Sequence, residues 1–250
     1  MEEAVIQKAI QYIKEYFADD YSGHDYWHSF RVYKLAEEIA RKEQANLFIV
    51  RFAALLHDVD DRKISPDTYE GKENAVSFMK QCGIDDRIIS DVSTIIEDVS
   101  YEGNSMTPQS LEGKCVQDAD RIDAIGAIGI ARAFSYGGNH NRAIYDPEIE
   151  PSLNMVRDEY RKHISTTINH FYEKLFCLKE LLNTSTAKEI AEHRDRFMHE
   201  YVDEFLLEWG GGKTVTGKSL FIQKEGRRCI QNLIQHMDYL KACLLLFLSL

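Results

Sequence analysis

Asn46-Leu47-Phe48-Ile49-Val50-Arg51-Phe52-Ala53-Ala54-Leu55-Leu56-His57-Asp58 is an apolar run that ends in an imidazole and a carboxylate side by side. On a helix from Asn46 to His57, residues Leu47, Val50, Ala54 and His57 share the inner face. Polar groups at the end of such a buried helix need partners, and those partners must come from elsewhere in the chain.

Working outward, Val5, Ile6, Ala9, Ile10, Ile13 and Phe17 form one stripe over Glu2 to Phe17, closed by Asp19, Asp20, Ser22 and Gly23. A second helix runs from about Asp25 to Gln44, where His28, Val32, Leu35 and Ile39 step along one face. Lys72 to Cys82, Asp85 to Val99, Leu111 to Phe134, Ser152 to Asn183 and Ser185 to Trp209 are also predicted helical. Ser135 to Pro151 is rich in turn formers and reads as a loop between two halves. With 4 prolines in 250 residues and almost no strand-like alternation, the chain is expected to be all-α, a bundle of roughly eight or more helices.

The hydrophobic content of 44% is enough for a core, so residues 1–209 are expected to form one domain. Residues 210–250, after Gly210-Gly211-Gly212, change in character and are set apart as an extension. The formal charge of -11 argues against binding a nucleic-acid backbone and requires any anion site to concentrate positive charge locally. The 5 cysteines are odd in number and scattered, without a CxxC pair, which fits a reducing compartment rather than a disulfide framework. An acidic N-terminus and a longest apolar run of only Cys243 to Leu248 give no sign of a secretory signal or membrane span. A cytoplasmic protein is expected, and a homodimer is compatible with the sequence.

His28 lies on the inward stripe of the second helix, and Gln117-Asp118-Ala119-Asp120-Arg121-Ile122-Asp123 brings three carboxylates into another. Carboxylates that face a core are costly unless a cation compensates them. His28, His57, Asp58 and either Asp120 or Asp123 would make a mixed nitrogen and oxygen site suited to Mn²⁺, Fe²⁺, Co²⁺ or Mg²⁺ more than to structural zinc.

This order of residues, a His, then a His-Asp pair, then a distant Asp, resembles the HD-domain metal-dependent phosphohydrolases. The strings Gly23 to His28, Leu55 to Lys63, Asp118 to Ile130 and Tyr136 to Pro147 are similar to small stand-alone bacterial members over roughly residues 1 to 209. The resemblance implies an all-helical HD domain and the metal ligands His28, His57, Asp58 and Asp120, with Asp120 selected by Ala119-Asp120-Arg121. It also implies hydrolysis of nucleotide phosphate bonds by a metal-bound water, and for this branch release of pyrophosphate from nucleoside triphosphates. Mn²⁺ is placed first as cofactor, before Mg²⁺, Fe²⁺, Co²⁺ or Ni²⁺.

Around that site, Asp58 would orient water and Asp61 act as general acid or base, while His24, four residues before His28, would assist a leaving group or support the ligand. Arg31 and Lys63, then Arg142 and Lys174, are the candidate phosphate contacts. Gly212 to Ser219 matches the phosphate-loop pattern letter for letter, but a helical segment precedes it and too little chain follows for the required sheet. The competing readings are a phosphomonoesterase or cyclic-nucleotide phosphodiesterase on the same ligands, and a nucleotide-binding regulator without turnover.

Overall fold

Helix α2 (Tyr26–Glu43) packs most extensively on the helices at 47–56 and 111–123, and short-range chemistry sets both its ends. In the computed structural model, which describes residues 2–18, 25–61, 64–99, 107–152 and 165–211, extended Asp25 accepts from the His28 amide at 2.8 Å. That satisfies one of the first-turn N–H groups a helix cannot pair internally. At the other end Gln44 takes the left-handed conformation, φ 61°, and its N–H returns to the Ala40 carbonyl. Val32, Ala36, Ile39 and Ala40 are fully buried, and the two alanines let α3 (Leu47–Leu56) and α6 (Leu111–Asp123) approach closely.

Helix α1 (Glu2–Tyr16) lays Val5, Ile6, Ala9 and Ile13 against α2 and α3. Asn46 starts α3 by accepting from the Phe48 and Ile49 amides. Besides the inner face predicted from sequence, Phe52, Ala53, Leu55 and Leu56 are fully buried, so the second half of α3 is covered all round. Helix α5 (Asp86–Val99) supplies much of that cover, and α4 (Glu73–Gln81) adds Phe78, whose ring centre lies 6.2 Å from that of Phe52. The start of α4 is held by Asp60, whose carboxylate accepts from the Asn74 and Ala75 amides at 3.1 and 2.9 Å.

Three sequence expectations are corrected beyond this point. Leu111 to Phe134 is not one helix: α6 stops at Asp123, and α7 (Gly126–Asn139) starts at Gly126 with φ 76°, a backbone that only glycine adopts without strain. The Ser135 to Pro151 segment is not loop throughout, because α7 runs on through Gly137 and Gly138 before the chain turns at His140. Ser152 to Asn183 is not one long helix either. Thr166 caps a short α8 (Thr167–Glu173), and two 3₁₀ turns, Leu175–Cys177 and Lys179–Leu181, carry the chain to Asn183.

Tertiary hydrogen bonds account for that last departure. Arg121 donates to the Leu181 carbonyl. Asp118, fully buried, accepts from the amides of Asn183 and Thr184 and from both their side chains at 2.7–2.8 Å. These bonds pin the chain just before α9 (Ser185–Trp209), whose span matches its prediction. The described residues hold nine α-helices and no strand. None of those helices is long and apolar enough to cross a membrane. The phosphate-loop match and the rest of the 210–250 extension from residue 212 onward lie outside the described residues.

Candidate metal centre

His28 projects from the first turn of α2 into the interior, where it is 1% exposed. Its Nδ1 lies 2.8 Å from Asp123 Oδ2. Asp123 also receives Arg31 through Nε at 2.7 Å and Nη2 at 3.0 Å, and Arg132 through Nη1 at 2.7 Å. Burial opposes ionisation of Asp123, but the hydrogen bonds from His28 and Arg31 outweigh it and hold the carboxyl well below the usual range. An ionised carboxylate can only accept, so His28 Nδ1 donates. Its Nε2 lone pair then faces the other way.

His57 follows the last residue of α3 and is fixed by the same logic. Its Nδ1 lies 2.9 Å from the Ala54 carbonyl, which can only accept, so the proton sits on Nδ1. The remaining Nε2 is buried and has no hydrogen-bond partner among the described residues. The two rings stand edge to face with centroids 5.3 Å apart.

Both Nε2 atoms point at carboxylates. Asp58 Oδ2 lies 3.2 Å from His28 Nε2 and 3.4 Å from His57 Nε2. Asp120 Oδ1 lies 3.4 and 3.9 Å from the same two nitrogens. The ligand atoms of His28, His57 and Asp120 fall within 4.8 Å of one another. Lone pairs converging on lone pairs repel unless a cation sits between them. A proton does this in part: burial lowers the pKa of His28, yet the bonds to Asp123 and Asp58 prevail and push it up to about 9. A divalent ion satisfies all the lone pairs at once, so the donor set fits a metal. Each imidazole is already oriented through its other nitrogen, as ligating histidines generally are.

A model of the HD domain matches residues 26–125 of this sequence. The protein is 39% identical to YpgQ of Bacillus subtilis over 209 residues, 76% of this chain and 87% of that one. The chain belongs to the HD-domain superfamily. A crystal structure of an HD-superfamily hydrolase from Bacillus thuringiensis is similar with a TM-score of 0.68 and 39% identity, covering 84% of this chain and 99% of that one. Bacillus subtilis YpgQ in complex with ADP is similar with a TM-score of 0.65 and 34% identity, covering 85% and 98%.

As an HD-superfamily hydrolase, the protein carries its His/His/Asp group on three helices that pack mutually, α2, the end of α3, and α6. The α6 spacing resolves the Asp120 and Asp123 alternatives: Asp120 faces the convergence point, and Asp123, one turn later, sits behind His28. The pairing of Asp123 with Arg31 is a feature sequence reasoning missed. Its only signal is a repeated three-residue step, His28 to Arg31 and Asp120 to Asp123.

Of the other predicted residues, the structure ties Arg31 and Asp61 to those of the HD centre. Arg31 is bound to Asp123 by two nitrogens, which leaves its Nη1 edge for another acceptor. Asp61 lies in the turn just after the His57-Asp58 pair, its N–H on the Asp58 carbonyl at 3.0 Å. Arg142 follows α7, with its N–H on the Gly137 carbonyl and its guanidinium 5.7 Å from the Tyr136 ring centre. Lys174 ends α8, with its N–H on the His170 carbonyl. His24 and Lys63 lie outside the described residues.

Proposed function

We propose that the protein hydrolyses nucleotide phosphate bonds, releasing pyrophosphate from nucleoside triphosphates, with one divalent ion held by His28, His57, Asp58 and Asp120. The observation that carries this reading is the meeting of two oriented Nε2 lone pairs with two carboxylates inside the helical bundle. Two nitrogens and two oxygens favour Mn²⁺, with Mg²⁺, Fe²⁺, Co²⁺ and Ni²⁺ as the other candidates. When bound, the ion supplies Lewis acidity toward a phosphoryl oxygen and makes water nucleophilic at neutral pH. The binding of ADP by the relative YpgQ supports a nucleotide as the ligand.

The chain's own residues would do the rest. Asp123 holds His28 in the ligating tautomer, and the Ala54 carbonyl does the same for His57. Asp58 would orient the attacking water, and Asp61, one turn beyond it, would take up or return the proton. His24 would protonate the leaving pyrophosphate. Arg31, Lys63, Arg142 and Lys174 are the proposed phosphate contacts, and they answer the need for local positive charge in a chain of net charge -11. Residues 1–209 form the catalytic body in this reading, with 210–250 as an extension. The scattered cysteines, without a CxxC pair, agree with a reducing, cytoplasmic setting.

A panel of nucleoside triphosphates, monophosphates and cyclic nucleotides, scored separately for pyrophosphate and orthophosphate with Mn²⁺ or chelator, tests the proposal. Pyrophosphate from triphosphates that stops with chelator is expected. Orthophosphate from monophosphates or opening of cyclic nucleotides alone would assign a different bond, and binding without turnover would make the protein a regulator.

A further inference from the structure

Next to His28, α2 carries a large apolar residue that belongs neither to the buried core nor to the candidate ligand set. Trp27 stands directly before His28 on α2 and is 59% exposed, an uncommon position for the largest apolar side chain. Its indole is nevertheless held. It meets the Tyr26 ring edge to face at 4.9 Å and the Phe30 ring at 6.2 Å and 89°. Tyr26 in turn stacks on Phe30, which leans on Tyr33. An aromatic stripe therefore supports one side of the indole while much of its surface faces solvent.

Helix geometry sets what lies on the other side. At 3.6 residues per turn, Trp27, Arg31 and His28 occupy successive directions about 40° and 60° apart around α2. The order across the helix surface is thus an aromatic ring, a guanidinium anchored on Asp123, and a metal ligand. Side chains leaving one helix about 100° apart end roughly 10 Å from each other. That separation matches the reach from a nucleotide's first phosphates, across the sugar, to its base.

We propose that Trp27 is the stacking platform for the nucleobase of the substrate. This rests on the nucleotide reading above and extends it to how the base is held. Anchored phosphates bring the base over the indole, whose support by Tyr26 and Phe30 spares it most of the ordering cost on binding. Stacking on a π-face uses no base-specific hydrogen bond, so this contact favours nucleotides over inorganic polyphosphates without choosing strongly among bases.

The chain contains 2 tryptophans, Trp27 and Trp209, so W209F leaves Trp27 as the sole indole emitter. In that background, with Mn²⁺ present, a nucleoside triphosphate is expected to quench the fluorescence, whereas inorganic tripolyphosphate is not. In the otherwise native chain, W27A is expected to raise KM for the nucleotide about tenfold with little change in kcat, and W27F to recover part of the loss. Competitive inhibition by tripolyphosphate should stay as it was. An unchanged nucleotide KM in W27A, equal weakening of tripolyphosphate, or no quenching would overturn the platform. Quenching by a nucleotide that is never hydrolysed would instead refute the proposed hydrolysis and leave the platform standing.

Discussion

Asp123 holds His28 by the back of its ring, with Oδ2 accepting from Nδ1 at 2.8 Å while Nε2 faces the metal centre. The same carboxylate is the counter-charge of Arg31 and Arg132. D123N would place an amide where donors arrive from three side chains and would remove the carboxylate charge that Arg31 and Arg132 both meet. Metal affinity should fall 10- to 100-fold, in line with roughly that loss for other supporting partners of metal ligands. Stability should drop by about 3 kcal/mol. Metal titration and urea unfolding of the same preparation check both, and unchanged metal affinity would mean that Asp123 does not set the His28 ring.

Asp118 lies two residues from Asp120 but serves the fold. Its four accepted bonds hold Asn183 and Thr184, and through them the start of α9. D118A should cost about 2 kcal/mol or more in urea unfolding, with metal affinity left within a few-fold. A weaker metal site at unchanged stability would reverse this division of labour.

Two glycines of α7 separate close approach from mere flexibility. A Cβ on Gly129 would lie 2.2 Å from the Ala124 carbonyl oxygen, whereas one on Gly138 would meet nothing within 4 Å. G129A should destabilise by about 2 kcal/mol or more, and G138A should be neutral or gain about 0.5 kcal/mol from a stiffer unfolded chain. Thermal unfolding of the pair decides, and equal midpoints would contradict the packing described at the α6–α7 break.

Cys115 is fully buried on α6. Burial, helped by the negative charges of Asp118, Glu43 and Glu112, pushes its thiol up to about 12 from an ordinary value of 9.0. The folded state therefore keeps a proton that the unfolded chain gives up first, so this group's contribution to stability is lost as pH rises through that interval. Unfolding free energy should decline less steeply between pH 9 and 11 in C115A than in the native chain. Parallel declines would show that Cys115 plays no part in the alkaline slope.

The helices legible in the sequence are those whose apolar stripe and caps agree. Asp25 and Gln44 bound α2 as expected, and Ser185–Trp209 forms α9, because local signals and tertiary packing ask for the same conformation there. The chain between Ser152 and Asn183 reads as a helix by pattern, but Asp118 and Arg121, more than fifty positions away, draw its end into 3₁₀ turns. Composition around Gly137 and Gly138 suggests a loop, yet α7 continues through them. The side chains that converge at the centre were visible because His28, the His57-Asp58 pair and Asp120 follow a recognisable order. Their supports were not, since the convergence of Arg31 and Arg132 on Asp123 exists only once α2, α6 and α7 are in place.

The most direct test is anomalous scattering from crystals of the protein equilibrated with Mn²⁺. A single strong peak is predicted between His28 Nε2, His57 Nε2, Asp58 and Asp120, at coordination distance from each. That peak should be absent from H57A crystals grown in the same solution. A native crystal with no peak at this position, or a peak that persists unchanged without His57, would contradict the account.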